Sequence, residues 1–217
     1  MALHFRLAGR DLHRHWYVHR PAWRIPLEAL LTSTAVVALA EIGDKTQLLA
    51  IVLATRFKRP LPIVAGIFVA TLANHFLAAL VGEQAATILD GLWFRYLVAA
   101  SFILMAAWTL IPDKLDEDEG AKPSRFGPFL ATTIAFFLVE MGDKTQIATI
   151  ALGARYQAVL PVMAGTTLGM MIANVPAVYL GNEIIKRVPL GVVRTIAALL
   201  FLAIGLWLLA QTAGWLG

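Results

Sequence analysis

Two short motifs of this chain combine acidic, basic and amide side chains at helical spacing. Residues 40–47 read AEIGDKTQ and residues 139–146 read VEMGDKTQ. On a helix, a Glu and an Asp three positions apart lie on one face, and a Gln three positions further on continues that line. Each motif therefore predicts a stripe of two carboxylates and one amide oxygen. The six residues are Glu41, Asp44, Gln47, Glu140, Asp143 and Gln146.

If the two stripes face each other, their oxygen atoms form a site for a divalent cation. Carboxylate and amide oxygens suit Mg²⁺, Ca²⁺ and Mn²⁺, whereas the motifs lack the imidazole and thiolate groups that favour Zn²⁺ and Cu⁺. Four carboxylates with Lys45 and Lys144 carry a net charge of −2, which one divalent cation would neutralise. An empty site must take up protons instead, so the motifs predict coupling between cation and protons. We interpret the lysines as counter-charges of the empty site, with proton transfer as the alternative.

The small residues of the motifs are predicted to support the site. Gly43 and Gly142 lie where a helix interior disfavours glycine. They indicate either a local helix break, which would free backbone carbonyls for the ion, or close packing between helices. On an ideal helix Thr46 and Thr145 point away from the carboxylates. We therefore expect each threonine hydroxyl to donate to a backbone carbonyl one turn back.

One histidine, His75, lies deep inside an apolar segment of the chain. The residue 99 positions further on is Asn174, so the two halves both carry a polar residue at this place. We interpret His75 as a core histidine with its hydrogen bonds satisfied. The alternative is that both residues support the metal ligands or line the ion pathway.

The composition indicates what must position these residues. The chain of 217 residues is 59% hydrophobic and 15% charged, with a mean hydropathy of +0.72. Soluble domains are about 45–50% apolar and about 25% charged, so we predict an all-α integral membrane protein. Continuous apolar runs, unlike the alternating pattern of a β-barrel, predict transmembrane helices of about 20 residues or more. The six predicted segments are 27–55, 61–82, 93–112, 127–153, 159–181 and 191–213.

The chain repeats itself at an offset of 99 residues. Besides the two motifs, Arg56, Pro62, Gly82, Phe102 and Trp108 each recur as the same residue type at that offset. Each repeat holds three predicted helices, and an odd number of crossings inverts the second repeat in the membrane. Two inverted three-helix repeats are typical of secondary transporters. The predicted organisation is a basic arm at 1–26, repeat 1 at 27–112, an acidic linker at 113–126 and repeat 2 at 127–213.

The charged residues of the motifs lie inside apolar segments and need a reason to be there. An Asp or Lys at the centre of a membrane helix costs about 2.5–3.5 kcal/mol on insertion scales. We therefore expect the six charged groups to face inward and to pair, with a purely structural ion cluster as the alternative to a functional site. The chain has no H-E-x-x-H, G-x-S-x-G or P-loop motif, which argues against an enzyme. Its basic residues lie mostly between apolar segments, which argues against nucleic-acid binding.

The motifs and their duplicated frame resemble those of a known transporter family over about residues 28–213. That family comprises the Golgi manganese/calcium–proton antiporters of eukaryotes and the manganese exporters of bacteria. The resemblance implies cation export coupled to protons. It also implies that four carboxylates occupy the family's acidic positions. These are Glu41, Asp44, Glu140 and Asp143.

The sequence thus predicts export of Mn²⁺ across a bacterial inner membrane in exchange for protons, with no permanently bound cofactor. Ca²⁺/H⁺ exchange is the main alternative because the same oxygens serve both ions. A divalent-cation channel or uniporter is the second. With the N-terminus outside, inner loops would hold nine basic residues, against seven for the reverse, so we favour that orientation.

Overall fold

The computed structural model describes residues 24–89, 91–112, 126–181 and 189–215. This part of the chain is all-helical, as predicted. Residues 1–23 of the predicted basic arm and 113–125 of the predicted acidic linker lie outside the described residues. The helices are α1 (Arg24–Glu41), α2 (Lys45–Phe57), α3 (Pro60–Ile88), α4 (Leu92–Thr109), α5 (Pro128–Glu140), α6 (Lys144–Tyr156), α7 (Val159–Leu180) and α8 (Leu190–Thr212).

Four of the helices are long and apolar enough to cross a membrane. They are α3, α4, α7 and α8, which contain 18 to 29 residues each. They coincide with four of the six segments predicted from the sequence. Their exposed side chains are largely apolar, as a lipid-facing surface requires.

The other two predicted segments are each divided into two shorter helices. In segment 27–55, α1 ends at Glu41 and α2 begins at Lys45, and in segment 127–153 α5 ends at Glu140 and α6 begins at Lys144. Gly43 and Gly142 lie in these connections with φ of +83° and +78°. Glycine adopts this left-handed region without the steric cost that other residues meet. The structure therefore contains a helix break at both motif glycines.

Each broken helix packs on a long helix of the other repeat through small residues. Helix α1 packs on α7, where Gly165 lies directly against the carbonyl oxygen of Leu30. Helix α5 packs on α3, where a Cβ atom placed on Gly66 would lie 2.7 Å from the carbonyl oxygen of Phe129. Gly66 and Gly165 are related by the 99-residue offset. The two motif segments are thus held close to the middle of the bundle by equivalent contacts.

Helices α4 and α8 form a pair on one side of this bundle. They pack on each other, and the rings of Phe102 and Phe201 lie with their centroids 6.2 Å apart. Beyond each other, α8 packs on α1 and α4 packs on α6. The pair therefore contacts the first half of one broken segment and the second half of the other.

Candidate metal centre

The two helix breaks bring three carboxylates together in the interior. One oxygen from each of Glu41, Asp44 and Asp143 lies within 4.8 Å of the other two. All three side chains are buried. Charges at this spacing in a medium of low dielectric constant repel strongly unless cations compensate them. The arrangement can therefore hold a cation with oxygen ligands.

The fourth predicted carboxylate, Glu140, lies nearby but outside this group of three. It is fully buried at the end of α5. Its Oε2 atom accepts a hydrogen bond of 3.1 Å from the hydroxyl of Thr145. The structure thus brings three of the four acidic residues within 4.8 Å of one another and holds the fourth at the edge of the site.

Each motif lysine pairs with the aspartate of the other motif. Nζ of Lys144 lies 2.6 Å from Oδ1 of Asp44, and Nζ of Lys45 lies 3.3 Å from Oδ1 of Asp143. The exposed fraction of the side chain is 5% for Lys144 and 22% for Lys45. Such crossed pairs connect the two repeats and place positive charge among the carboxylates. That arrangement fits the predicted counter-charge role, which remains a prediction.

The expectation for the two motif threonines is wrong. The hydroxyl of Thr46 donates to Oε2 of Glu41 at 2.5 Å, and that of Thr145 donates to Oε2 of Glu140 at 3.1 Å. Each threonine lies in the first turn of a new helix, where no helical carbonyl lies one turn back. The helix break also turns the hydroxyl toward the glutamate that ends the preceding helix. The threonines therefore orient the glutamates directly.

The two motif glutamines lie at the helix breaks. The N–H of Gly43 donates to Oε1 of Gln47 at 2.9 Å, and the N–H of Gly142 donates to Oε1 of Gln146 at 2.7 Å. Nε2 of Gln47 also donates to the carbonyl of Ala173 on α7, at 3.0 Å. Both glutamines thus satisfy a backbone donor freed by the break. An amide oxygen has two lone pairs, so metal ligation by these residues remains a prediction.

His75 and Asn174 lie outside the carboxylate group. Both are fully buried, and neither ring nitrogen of His75 has a hydrogen-bond partner in the described part of the chain. The prediction of a satisfied core histidine is therefore wrong. Asn174 donates to the carbonyl of Met170 at 3.1 Å. A role for these two residues in supporting the site or the pathway remains a prediction.

Three further buried polar residues lie outside the two motifs and were not predicted. Nδ2 of Asn74 donates to the carbonyl of Phe137 at 3.0 Å and so connects α3 to α5 just before the second break. Ser33 and Thr132 are both fully buried and are related by the 99-residue offset. That offset, applied to polar residues inside apolar segments, indicates Ser33 and Thr132 but not Asn74, whose counterpart is Ala173.

Buried carboxylates and lysines at breaks in apolar helices are typical of the ion sites of membrane transporters, and this arrangement is a candidate for such a site. The chain belongs to the GDT1 family of divalent cation/proton antiporters, whose family model matches residues 29–117 and 128–215. The resemblance inferred from the two motifs is thereby confirmed.

Three relatives show how widely the likeness extends. The chain is 52% identical over 181 residues to a Vibrio cholerae protein named "Putative manganese exporter", covering 83% of this chain and 90% of the relative. It is 31% identical over 195 residues to GDT1-like protein sll0615 of Synechocystis, with 81% and 93% covered. It is 29% identical over 206 residues to GDT1-like protein 3 of Arabidopsis thaliana, with 81% and 68% covered. No solved structure matches the chain.

Proposed function

We propose that this protein exports Mn²⁺ across a bacterial inner membrane in exchange for protons. The observation that carries the proposal is the buried group of Glu41, Asp44 and Asp143, with oxygens within 4.8 Å of one another. Carboxylate and hydroxyl oxygens suit Mn²⁺. The name of the Vibrio cholerae relative supports manganese as the cargo.

The proposed transmembrane arrangement has six crossings. Helices α3, α4, α7 and α8 make four of them, and the broken pairs α1–α2 and α5–α6 each make one. Residues 27–112 and 127–213 then form two repeats inverted with respect to each other, with the N-terminus outside. The crossed ion pairs between Lys45, Asp143, Lys144 and Asp44 support this arrangement, since each repeat supplies equivalent groups to one central site.

In the proposed cycle the site alternates between two ways of balancing its charge. In the metal-free state, the lysine ammonium groups and protons neutralise the carboxylates. When Mn²⁺ enters, the aspartates release their lysine partners and protons leave. Because an uncompensated buried carboxylate is costly, protons must return when the cation leaves. Cation and proton movements are therefore coupled in opposite directions.

Ca²⁺/H⁺ exchange is the second candidate, because the oxygen ligands of the site suit Ca²⁺ as well as Mn²⁺. Every group within the carboxylate cluster and its threonine partners offers oxygen, which is the ligand atom that Ca²⁺ requires. Equilibrating the purified protein with Mn²⁺ and Ca²⁺ together, and measuring which ion is retained, distinguishes the two candidates.

The deciding experiment measures both ions in proteoliposomes. The vesicles carry a trapped pH dye, and Mn²⁺ is added outside in the absence of any other gradient. Antiport predicts that Mn²⁺ enters, protons leave and the internal pH rises. Mn²⁺ flux without a pH change would leave a channel or uniporter. Glu41→Gln should abolish both signals, whereas Glu83→Gln, the same change on α3 outside the cluster, should abolish neither.

A further inference from the structure

The surroundings of the two helix breaks differ although their motifs match. A Cβ atom placed on Gly43 would lie 2.8 Å from Cδ2 of Leu190, the first residue of α8. A Cβ atom placed on Gly142 would meet no atom within 4 Å among the described residues. Met141, beside the second break, is 57% exposed, whereas its counterpart Ile42 is partly buried. Among the described residues, the first break is therefore covered and the second is uncovered.

The motif lysines do not follow this division. Lys144, two positions after the uncovered Gly142, pairs with Asp44, and 5% of its side chain is exposed. Lys45, two positions after the covered Gly43, pairs with Asp143, and 22% of its side chain is exposed. The difference in cover therefore belongs to the two turns, while each ion pair joins both motifs.

The packing of the α4–α8 pair accounts for the difference. Helix α8 packs on α1, which ends at the first break. The equivalent packing of α4 on α5, which ends at the second break, amounts at most to a marginal contact within the described ranges. Helix α4 packs instead on α6. The pair thus contacts the helix that ends at the first break, whereas on the side of the second break it contacts the helix that follows the break.

The sequence shows why the cover at the first break is made by a side chain. The 99-residue offset relates Leu190 to Gly91, the residue before the first residue of α4. Leu190 is partly buried and presents its methyl groups to the break, whereas Gly91 has no side chain to present. The side chain that covers the first break therefore has no counterpart at the equivalent position of the other repeat.

We infer that Leu190 is a positioning residue that closes the first break, and that the α4–α8 pair moves between covering one break and covering the other. The inference rests on the proposed function, because exchange requires that the central site never opens to both sides at once. The structure corresponds to the state in which the first break is closed. Removing the Leu190 side chain leaves the first break partly open in that state, so that ions can leak.

Hydrogen exchange of the backbone, measured by mass spectrometry on the full chain in lipid nanodiscs, tests the closure without requiring transport. In the parent chain, deuterium uptake should be slower over residues 42–47 than over residues 141–146. Leu190→Ala should speed uptake over 42–47 about tenfold, equal to about 1.4 kcal/mol of closing free energy. It should leave uptake over 141–146 unchanged.

Two further variants separate closure from general loosening. Leu199→Ala removes an equal side chain from an exposed position on the same helix and should change neither peptide. Leu190→Met keeps a side chain of similar volume and should restore slow uptake over 42–47. Equal uptake in the parent and in Leu190→Ala overturns the inference. A similar rise in Leu199→Ala, or over both breaks in Leu190→Ala, overturns it as well.

Coupled flux provides the second readout. In the proteoliposome assay, Leu190→Ala should move fewer protons per Mn²⁺ than Leu199→Ala does, because the leak carries Mn²⁺ without exchange. An unchanged ratio overturns the gating role. If Leu190→Ala shows the expected change in hydrogen exchange but the parent chain moves no Mn²⁺, the closure stands and the proposed function fails.

Discussion

The two motif segments have nearly the same sequence, sharing six of eight residues, and both form a helix, a break and a second helix. In the first segment, the hydroxyl of Thr46 lies 2.5 Å from Oε2 of Glu41, and Nε2 of Gln47 donates to the carbonyl of Ala173 on α7. In the second, the hydroxyl of Thr145 is shared between Glu140 at 3.1 Å and Asp143 at 3.2 Å. The covered break thus has the shorter hydrogen bond between threonine and glutamate.

The asymmetry of the site comes from the helices that pack around the two breaks and not from the motif residues. The motif residues that carry charge are identical in the two repeats, whereas the helices over the breaks are placed differently. In the proposed inverted arrangement, the two repeats would exchange these placements during transport. The same six charged residues could then serve both states of an exchanger.

We expect the greatest losses of Mn²⁺ transport and of unfolding free energy when the two motif aspartates are replaced, one at a time and together. Asp44→Asn and Asp143→Asn each remove one carboxylate charge from the centre together with its ion pair to a lysine of the other motif, and we expect each to abolish Mn²⁺ transport in proteoliposomes. Breaking a buried ion pair from one side costs about 3–5 kcal/mol, so the unfolding free energy should also fall. Glu83→Gln provides the control for loss of a carboxylate elsewhere.

The double variant decides whether the two motifs form one site. If they do, the loss of stability in the double variant is smaller than the sum of the two single losses, because residues in one cluster are coupled. Additive losses would mean two separate sites. Denaturation of the purified variants in a mild detergent, monitored by circular dichroism, gives all three values.

The lysines test the difference between the two ion pairs. Lys144→Met removes the short, buried pair with Asp44 and should cost about 3–5 kcal/mol of unfolding free energy. Lys45→Met removes a pair that is longer and whose lysine is partly exposed, so solvent already weakens it and the loss should be smaller. Equal losses in chemical denaturation would contradict this difference between the two pairs.

Much of the site could be predicted because its motif occurs twice in the sequence, at residues 40–47 and 139–146. The charges at Glu41, Asp44 and Asp143 are too costly inside apolar segments unless they face one another, and the 99-residue offset brings the two motifs together. The all-helical class followed from composition in the same way. Those conclusions depend on residue type and spacing alone.

The threonine contacts and the cover over the first break could not be predicted from the sequence, because both depend on the direction of the chain at the breaks. An ideal helix places Thr46 away from Glu41, and only the turn at Gly43 brings its hydroxyl to the carboxylate. The cover provided by Leu190 depends on where α8 packs, and hydrophobic contacts of this kind leave no motif. The presence of Gly43 and Gly142 is compatible with close helix packing as well as with a helix break, and their positive φ angles identify the break.

The dependence of Mn²⁺ affinity on pH should show whether both motifs bind protons in the empty site. Protons and Mn²⁺ compete for the same carboxylate oxygens, so affinity should weaken as the pH falls. Displacement of one proton per cation raises the apparent Kd about tenfold for each unit of falling pH, and displacement of two raises it about a hundredfold. Titration calorimetry between pH 6 and about 8 gives the slope. A Kd independent of pH would contradict competition between cation and protons.

We expect the smallest difference in unfolding free energy between variants of the two glutamines, which accept hydrogen bonds from the glycines at the breaks. Gln47 accepts from Gly43 and donates to Ala173, whereas the half-buried Gln146 accepts from Gly142 among the described residues. A net hydrogen bond contributes about 0.5–1.5 kcal/mol, and a buried carbonyl left without its donor costs more. We therefore expect Gln47→Leu to lower the unfolding free energy by about 1–3 kcal/mol and Gln146→Leu by about 1 kcal/mol. Chemical denaturation of the two variants side by side measures the difference, and a larger loss for Gln146→Leu would mean that the second break is the more firmly held of the two.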